Sequence, residues 1–123
     1  MIMTGKALQK LLKTQKIFMD DIFKKLEEIL EQRKSAKAQD SYVSSLYAKG
    51  LDEILKKIGE ESAEVIMAAK DGDQDKIIYE VADLWFHTLV LLRQENIEVD
   101  KIQTELSRRF GLSGLTEKAN RTN

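Results

Sequence analysis

Apolar residues recur at helical spacing through most of this sequence. In residues 4–34 they fall every three or four positions, between lysine, glutamate and glutamine. This period predicts one long amphipathic helix or two abutting ones. A polar linker follows at 35–40, and residues 41–50 then predict a short helix that Gly50 ends.

The second half of the chain predicts further helices, at 51–70, 74–94 and 98–110, with a last helical turn at 113–121. The first two are joined by a DGD turn at 71–73, in which Asp73 is suited to cap the following helix. No segment alternates apolar and polar residues as a strand does, and the chain has no proline. The pattern therefore predicts an all-α fold.

Short connections between long helices favour an antiparallel helical bundle. Because a few helices with wide apolar sides leave some of that surface uncovered, we expect homodimerisation to complete the core. A length of 123 residues suits a single domain, 1–123, in which residues 1–25 are a candidate N-terminal helical extension.

Charge and composition exclude several classes of protein. The 20 basic and 21 acidic residues are intermixed, which argues against a broad nucleic-acid surface. The absence of cysteine excludes disulfides and thiolate chemistry. No apolar run is long enough to span a membrane, and lysines interrupt the N-terminal region where a secretion signal would be apolar. A cytoplasmic location is the default expectation.

Acidic residues form one pair on each of the two helices joined by the DGD turn. The first pair, E-x-x-E, is Glu61 and Glu64, and the second, E-x-x-D, is Glu80 and Asp83. Residues three apart are neighbours on one side of a helix. Since the short turn folds the two helices together, we expect all four carboxylates to meet.

The second pair interrupts YEVADLWFH, residues 79–87, in the most hydrophobic part of the chain. Ionised carboxylates are very costly to bury without a cationic partner. Four oxygen ligands without cysteine favour Mg²⁺, with Mn²⁺ as an alternative. A core network paired with lysines, or a solvated acidic face, remains open on this pattern alone. We expect His87, the single histidine, to be a buried core residue one turn after Asp83, well placed to hydrogen-bond with it.

The acidic motif, with 15 residues between Glu64 and Glu80, resembles that of the all-α nucleoside triphosphate pyrophosphohydrolase (MazG-like) superfamily. Three longer strings are similar to one family within it, the phosphoribosyl-ATP pyrophosphatases. They are SYVSSLYAKGLDEILKKIGEE, EVADLWFH and RRFGLSGLTEKANR. The resemblance covers about residues 26–121.

This resemblance implies magnesium-dependent hydrolysis of the α–β phosphoanhydride of 1-(5-phosphoribosyl)-ATP. The products would be 1-(5-phosphoribosyl)-AMP and pyrophosphate, in the second step of histidine biosynthesis. It also implies that the catalytic and metal-binding residues are Glu61, Glu64, Glu80 and Asp83. Glu60 belongs to the family pattern as well and is a further possible ligand, but helical geometry turns it away from the others. We expect one glutamate to activate the water that attacks phosphorus.

A polyanionic substrate also requires basic residues. Lys57 lies on the acidic side of its helix, where it can contact phosphate or pair with Glu61. Candidates near the C-terminus for the ribose 5-phosphate are Arg108, Arg109, Ser113 and Lys118. A basic helix end that merely complements the helix dipole is the alternative for these residues. The candidates to line a base or ribose pocket are Ser41, Tyr42, Ser45, Tyr47 and Lys49.

Two other functions are compatible with the motif. A housekeeping enzyme that cleaves dUTP or non-standard nucleotides would keep the chemistry and change the substrate. A non-catalytic helical dimerisation module would have an acidic side paired with lysines. The C-terminal string argues against the first, and metal-dependent release of pyrophosphate would distinguish an enzyme from the second.

Overall fold

The computed structural model describes residues 4–111, apart from the side chains of residues 12 and 14–21, and this part of the chain contains helices and no strands. The helices are α1 (Gly5–Ser35), α2 (Tyr42–Lys49), α3 (Leu51–Asp71), α4 (Gln74–Gln94) and α5 (Val99–Phe110), with a short 3-10 helix, Ala38–Asp40, before α2. The all-α prediction is confirmed, and α1 is one continuous helix. The turn predicted at 113–121 lies outside the described residues.

Local sequence signals set the helix boundaries around the connection between α3 and α4. Gly72 ends α3 in the left-handed conformation, at φ 71°, which glycine adopts without a steric penalty. Asp73 then caps α4 as predicted, because its side chain accepts a hydrogen bond of 3.2 Å from the Lys76 amide. The connection is therefore only two residues long, and α3 and α4 form the most extensive helix pair.

The apolar core lies at one end of this helix pair. It combines the second half of α1 with α2, the first turns of α3, the last turns of α4 and the start of α5. Its buried side chains are Leu30, Leu46, Ile54, Leu89, Val90, Leu92 and Val99. Each fully buried aliphatic side chain contributes about 2 kcal/mol relative to an exposed one. The fully buried residues of α4 thus lie in its second half.

Helix α4 as far as Trp85 and one side of α3 leave apolar residues in solvent. Ile78 and Trp85 of α4 are more than half exposed, and so is Ile66 of α3. Phe23 of α1 contacts this part of α4, and its ring lies 6.2 Å from that of Trp85. No helix in the described range 4–111 is both long and apolar enough to cross a membrane.

A glutamate from a distant part of the chain fixes the start of α5. Glu98, at the N-cap position, makes no capping hydrogen bond with its side chain. Instead, the Glu27 carboxylate on α1 accepts a hydrogen bond of 2.9 Å from the Val99 amide. A carboxylate at this position also complements the positive end of the helix dipole. Beyond Val99, α5 packs mainly against α1 and is largely exposed.

Candidate active site

Three carboxylates meet where α3 and α4 face each other beyond the apolar core. Glu61 of α3 and the α4 residues Glu80 and Asp83 each offer an oxygen that lies within 4.8 Å of the other two. The two-residue connection sets the register of the helix pair, so that these side chains lie at the same height along the two helix axes. All three residues are partly buried. We refer to Glu61, Glu80 and Asp83 as the acidic group.

Partial burial and repulsion between the carboxylates increase the proton affinity of the acidic group. Partial burial, followed by the charges and hydrogen bonds of Asp83 and Glu80, raises the pKa of Glu61 to about 7. Two carboxylates form a hydrogen bond only if one of them carries a proton. Without a cation, the group therefore retains a proton near neutral pH, and a divalent cation would remove the need for it.

The raised pKa of Glu61 predicts how the stability of the metal-free protein depends on pH. A glutamate whose pKa rises from 4.5 in the unfolded chain to about 7 on folding stabilises the folded state fully only below pH 4.5. That contribution is lost as the pH rises to 7. With chelator present, we expect a loss of about 1 to 2 kcal/mol across this window, after allowing for solvent screening of a partly exposed carboxyl group.

Thermal melting at fixed protein concentration between pH 5 and 8 measures this loss, which corresponds to roughly 5 °C. The matched variant is Glu61→Gln, which has no titrating group at this position and should show a flatter profile. An equal slope in both proteins would contradict the prediction. Magnesium should flatten the profile of the unmodified protein, because a bound cation favours the ionised carboxylates.

The fourth predicted acid, Glu64, is exposed and lies outside the acidic group. Glu60 turns away from it, as helical geometry predicts, and its carboxylate lies 3.4 Å from the Lys57 ammonium. Lys57 thus pairs with Glu60 and not with Glu61. The pKa of Lys57 is raised. The largest contribution comes from the hydroxyl of Tyr42, and the next comes from Glu60.

The two predicted phosphate-binding arginines lie on the last turn of α5 and share one carboxylate. Glu105 accepts hydrogen bonds of 2.8 and 3.0 Å from Arg108 and one of 2.9 Å from Arg109. These bonds lower the pKa of Glu105 to about 2. In the described chain the structure does not bring the arginines to the acidic group, because α5 packs mainly against α1. Ser113 and Lys118 lie outside the described residues.

His87 is buried behind the acidic group. The predicted hydrogen bond with Asp83 is made with its main-chain oxygen, 2.9 Å from Nδ1, while the Asp83 carboxylate lies 4.0 Å away. The other ring nitrogen, Nε2, lies 3.0 Å from the hydroxyl of Tyr42 on α2. This second contact joins residues 45 positions apart, so helical spacing could not have predicted it.

The described part of the chain is helical, and acidic residues of two consecutive helices meet in it. This arrangement agrees with the resemblance of the E-x-x-E and E-x-x-D motif to that of the all-α nucleoside triphosphate pyrophosphohydrolases. The acidic group can hold a metal ion, since oxygen ligands suit hard divalent cations.

Comparison with known proteins narrows this class to a family. The sequence model described as Phosphoribosyl-ATP pyrophosphohydrolase matches residues 23–110. A protein named phosphoribosyl-ATP pyrophosphatase from Vesicomyosocius okutanii is 78% identical over 105 residues, which are 85% of this chain and 100% of that protein. One of the same name from Methylococcus capsulatus is 60% identical over 101 residues, 82% of this chain and 96% of the relative. The chain belongs to the phosphoribosyl-ATP pyrophosphohydrolase family.

Proposed function

We propose that this protein hydrolyses the α–β phosphoanhydride of 1-(5-phosphoribosyl)-ATP, releasing pyrophosphate and 1-(5-phosphoribosyl)-AMP in histidine biosynthesis. The family match and the names of highly identical relatives support this substrate. The observation that carries the proposal is the acidic group itself, which lies within the matched region. It supplies the carboxylates that this reaction requires.

Magnesium is the metal that suits the acidic group best. Its donors are carboxylate oxygens only, which Mg²⁺ prefers, and the chain has no cysteine. The repulsion that raises the pKa of Glu61 would be relieved by a divalent cation. Glu61, Glu80 and Asp83 would hold the ion, with Glu64 as a fourth ligand after a change of side-chain rotamer. When bound, Mg²⁺ polarises phosphoryl oxygens and neutralises negative charge on the substrate.

The chain's own residues then have separate tasks. A carboxylate of the acidic group accepts the proton of the attacking water, which makes the water a stronger nucleophile. Lys57 is the nearest candidate to neutralise a substrate phosphate, and its pairing with Glu60 on the exposed side of α3 leaves its ammonium free to exchange partners. For the ribose 5-phosphate, the predicted ligands remain Arg108, Arg109, Ser113 and Lys118.

We also propose that the protein is a homodimer in which two protomers complete an antiparallel bundle. The apolar side of α3 that carries Leu51, Leu55 and Ile66 supports this proposal, because these residues lie within a narrow arc of the helix and remain exposed. The exposed stripe of Ile78 and Trp85 on α4 adds to the uncovered apolar surface. Exposed apolar surfaces commonly mark protein interfaces. In a two-fold symmetric dimer, the same apolar surface of each protomer packs against that of the other.

The decisive experiment measures pyrophosphate release from phosphoribosyl-ATP with magnesium, and again with a chelator. We expect rapid release with magnesium and none with the chelator. A panel of dNTPs, including dUTP, serves as the comparison. Faster cleavage of any dNTP would overturn the proposed substrate, and release that does not depend on metal would overturn the proposed role of the acidic group.

A further inference from the structure

His87 is buried, with 3% of its surface exposed, and both of its ring nitrogens are hydrogen-bonded. Nδ1 lies 2.9 Å from the main-chain oxygen of Asp83, and Nε2 lies 3.0 Å from the hydroxyl of Tyr42. One ring therefore connects the α4 turn that carries Asp83 to the first residue of α2. The proposed proton transfer and metal binding use neither side chain.

These two hydrogen bonds determine where the protons lie. A carbonyl oxygen only accepts, so Nδ1 of His87 must carry the hydrogen. In the neutral ring Nε2 then has a lone pair and no hydrogen, and the Tyr42 hydroxyl must donate its single proton to it. The phenol oxygen of Tyr42 consequently has only acceptor capacity left for any other partner.

Tyr42 is connected to the α4 turn that carries Asp83 through the ring of His87. Although Tyr42 bonds to a buried ring, half of its surface, 51%, is exposed. Burial makes the largest contribution to the raised pKa of Tyr42, which the charge of Lys57 lowers and the charges of Asp83 and Glu61 raise. The start of α2 is held independently, because Ser44 donates a hydrogen bond of 3.0 Å to the main-chain oxygen of Arg33.

We propose that Tyr42 contacts the nucleoside part of the substrate and that His87 is the residue that positions it. An oxygen that can only accept would repel phosphate oxygens, which are acceptors as well. It would bind an O–H or N–H donor, which in this substrate is a ribose hydroxyl or a base N–H. This inference rests on the proposed function, since that function supplies the nucleoside.

The test compares Tyr42→Phe, His87→Asn and the double variant with the unmodified protein. The asparagine amide N–H can donate to the Asp83 carbonyl from the position of Nδ1, but the side chain is too short to place its oxygen at the position of Nε2, where Tyr42 needs an acceptor. Loss of one substrate hydrogen bond should raise KM for phosphoribosyl-ATP, and the calorimetric Kd for AMP, by about five- to tenfold in each single variant. The double variant should show no further increase, because both changes remove the same contact. The kcat should change by less than about threefold.

Two controls separate this role from a structural one. The sequence also makes Tyr47 a candidate for the pocket, but its ring packs against the core and its hydroxyl donates to the main-chain oxygen of Val90 at 3.2 Å, and Tyr47→Phe removes that hydroxyl. It should lower the melting temperature without raising the KM or the Kd for AMP. His87→Gln, whose side-chain oxygen can accept from Tyr42, should restore affinity relative to His87→Asn. Manganese affinity, measured by electron paramagnetic resonance, should stay within about twofold in all variants.

The outcomes distinguish the alternatives. If Tyr42→Phe and His87→Asn leave both affinities unchanged, or if their effects multiply in the double variant, the inference is wrong. A tenfold loss of manganese affinity in His87→Asn alone would mean that His87 acts through Asp83. Comparing AMP with 2′,3′-dideoxy-AMP assigns the donor, since a ribose contact makes Tyr42→Phe silent for the dideoxy compound. Binding of AMP is measured without turnover, so failure of the proposed reaction is recognised separately by the absence of pyrophosphate release.

Discussion

Glu80→Gln is expected to reduce pyrophosphate release by about a thousandfold or more and to leave the helix content unchanged. Glutamine keeps the shape of the side chain but removes the charge that a cation and the transition state require. The same change should raise the melting temperature of the metal-free protein, because it relieves repulsion that raises the pKa of Glu61. Initial rates, circular dichroism and thermal melting in chelator test these effects.

Glutamine substitutions at the two neighbouring glutamates of α3 serve as comparisons. Glu60→Gln removes a carboxylate that points 100° around the helix from Glu61 and pairs with Lys56 and Lys57, and it should change the rate by less than about threefold. Glu64→Gln tests whether the exposed Glu64 becomes a metal ligand. If it does, the rate of pyrophosphate release by this variant should fall toward that of Glu80→Gln. Unfolding of Glu80→Gln, instead of an inactive folded protein, would assign Glu80 a structural role.

Ile66→Glu is expected to weaken dimerisation by about a hundredfold or more, as judged by sedimentation equilibrium across a range of protein concentrations. A charge placed within an apolar interface loses its hydration without gaining a partner, which costs several kcal/mol. Helix content should not change, because Ile66 is 63% exposed in the protomer and lies outside its core.

The adjacent residue provides a matched control. Met67 is 60% exposed, nearly as much as Ile66, but points 100° further around α3, toward the side that carries Lys56 and Glu60. Met67→Glu should therefore leave the association constant within about threefold of the original. A protein that is monomeric before any substitution, or equal effects of the two substitutions, would contradict the proposed interface.

Local signals allowed the helices to be predicted closely. Gly72 and Asp73 end one helix and start the next through their own backbone and side-chain preferences, so the connection could be read without tertiary information. The same reasoning paired Glu61 with Glu80 and Asp83, because a two-residue connection leaves one register for the helix pair. Glu64 was expected with them, but its position further around α3 leaves it outside the acidic group.

Contacts between distant parts of the chain could not be predicted in this way. Helical periodicity predicts which side of α4 is apolar but not which helix packs on it, nor that its fully buried residues lie in its second half. The bond between Tyr42 and His87, and the capping of α5 by Glu27, each depend on how α1 and α2 are placed. Helical periodicity in a single sequence does not indicate which residues of different helices contact each other.

The position of the apolar core gives the α3–α4 pair a gradient of local stability. Its side chains fill the end of the pair where α2 and α5 also pack, whereas the buried side chain nearest Gly72 in the protomer is the small one of Ala68. Local opening of that end breaks fewer apolar contacts than global unfolding does. Its amide hydrogens should therefore exchange through local opening, at a lower free energy than global unfolding requires. A cation bound by carboxylates of both helices would hold α3 and α4 together near this end of the pair. Binding of the cation should therefore slow local opening there.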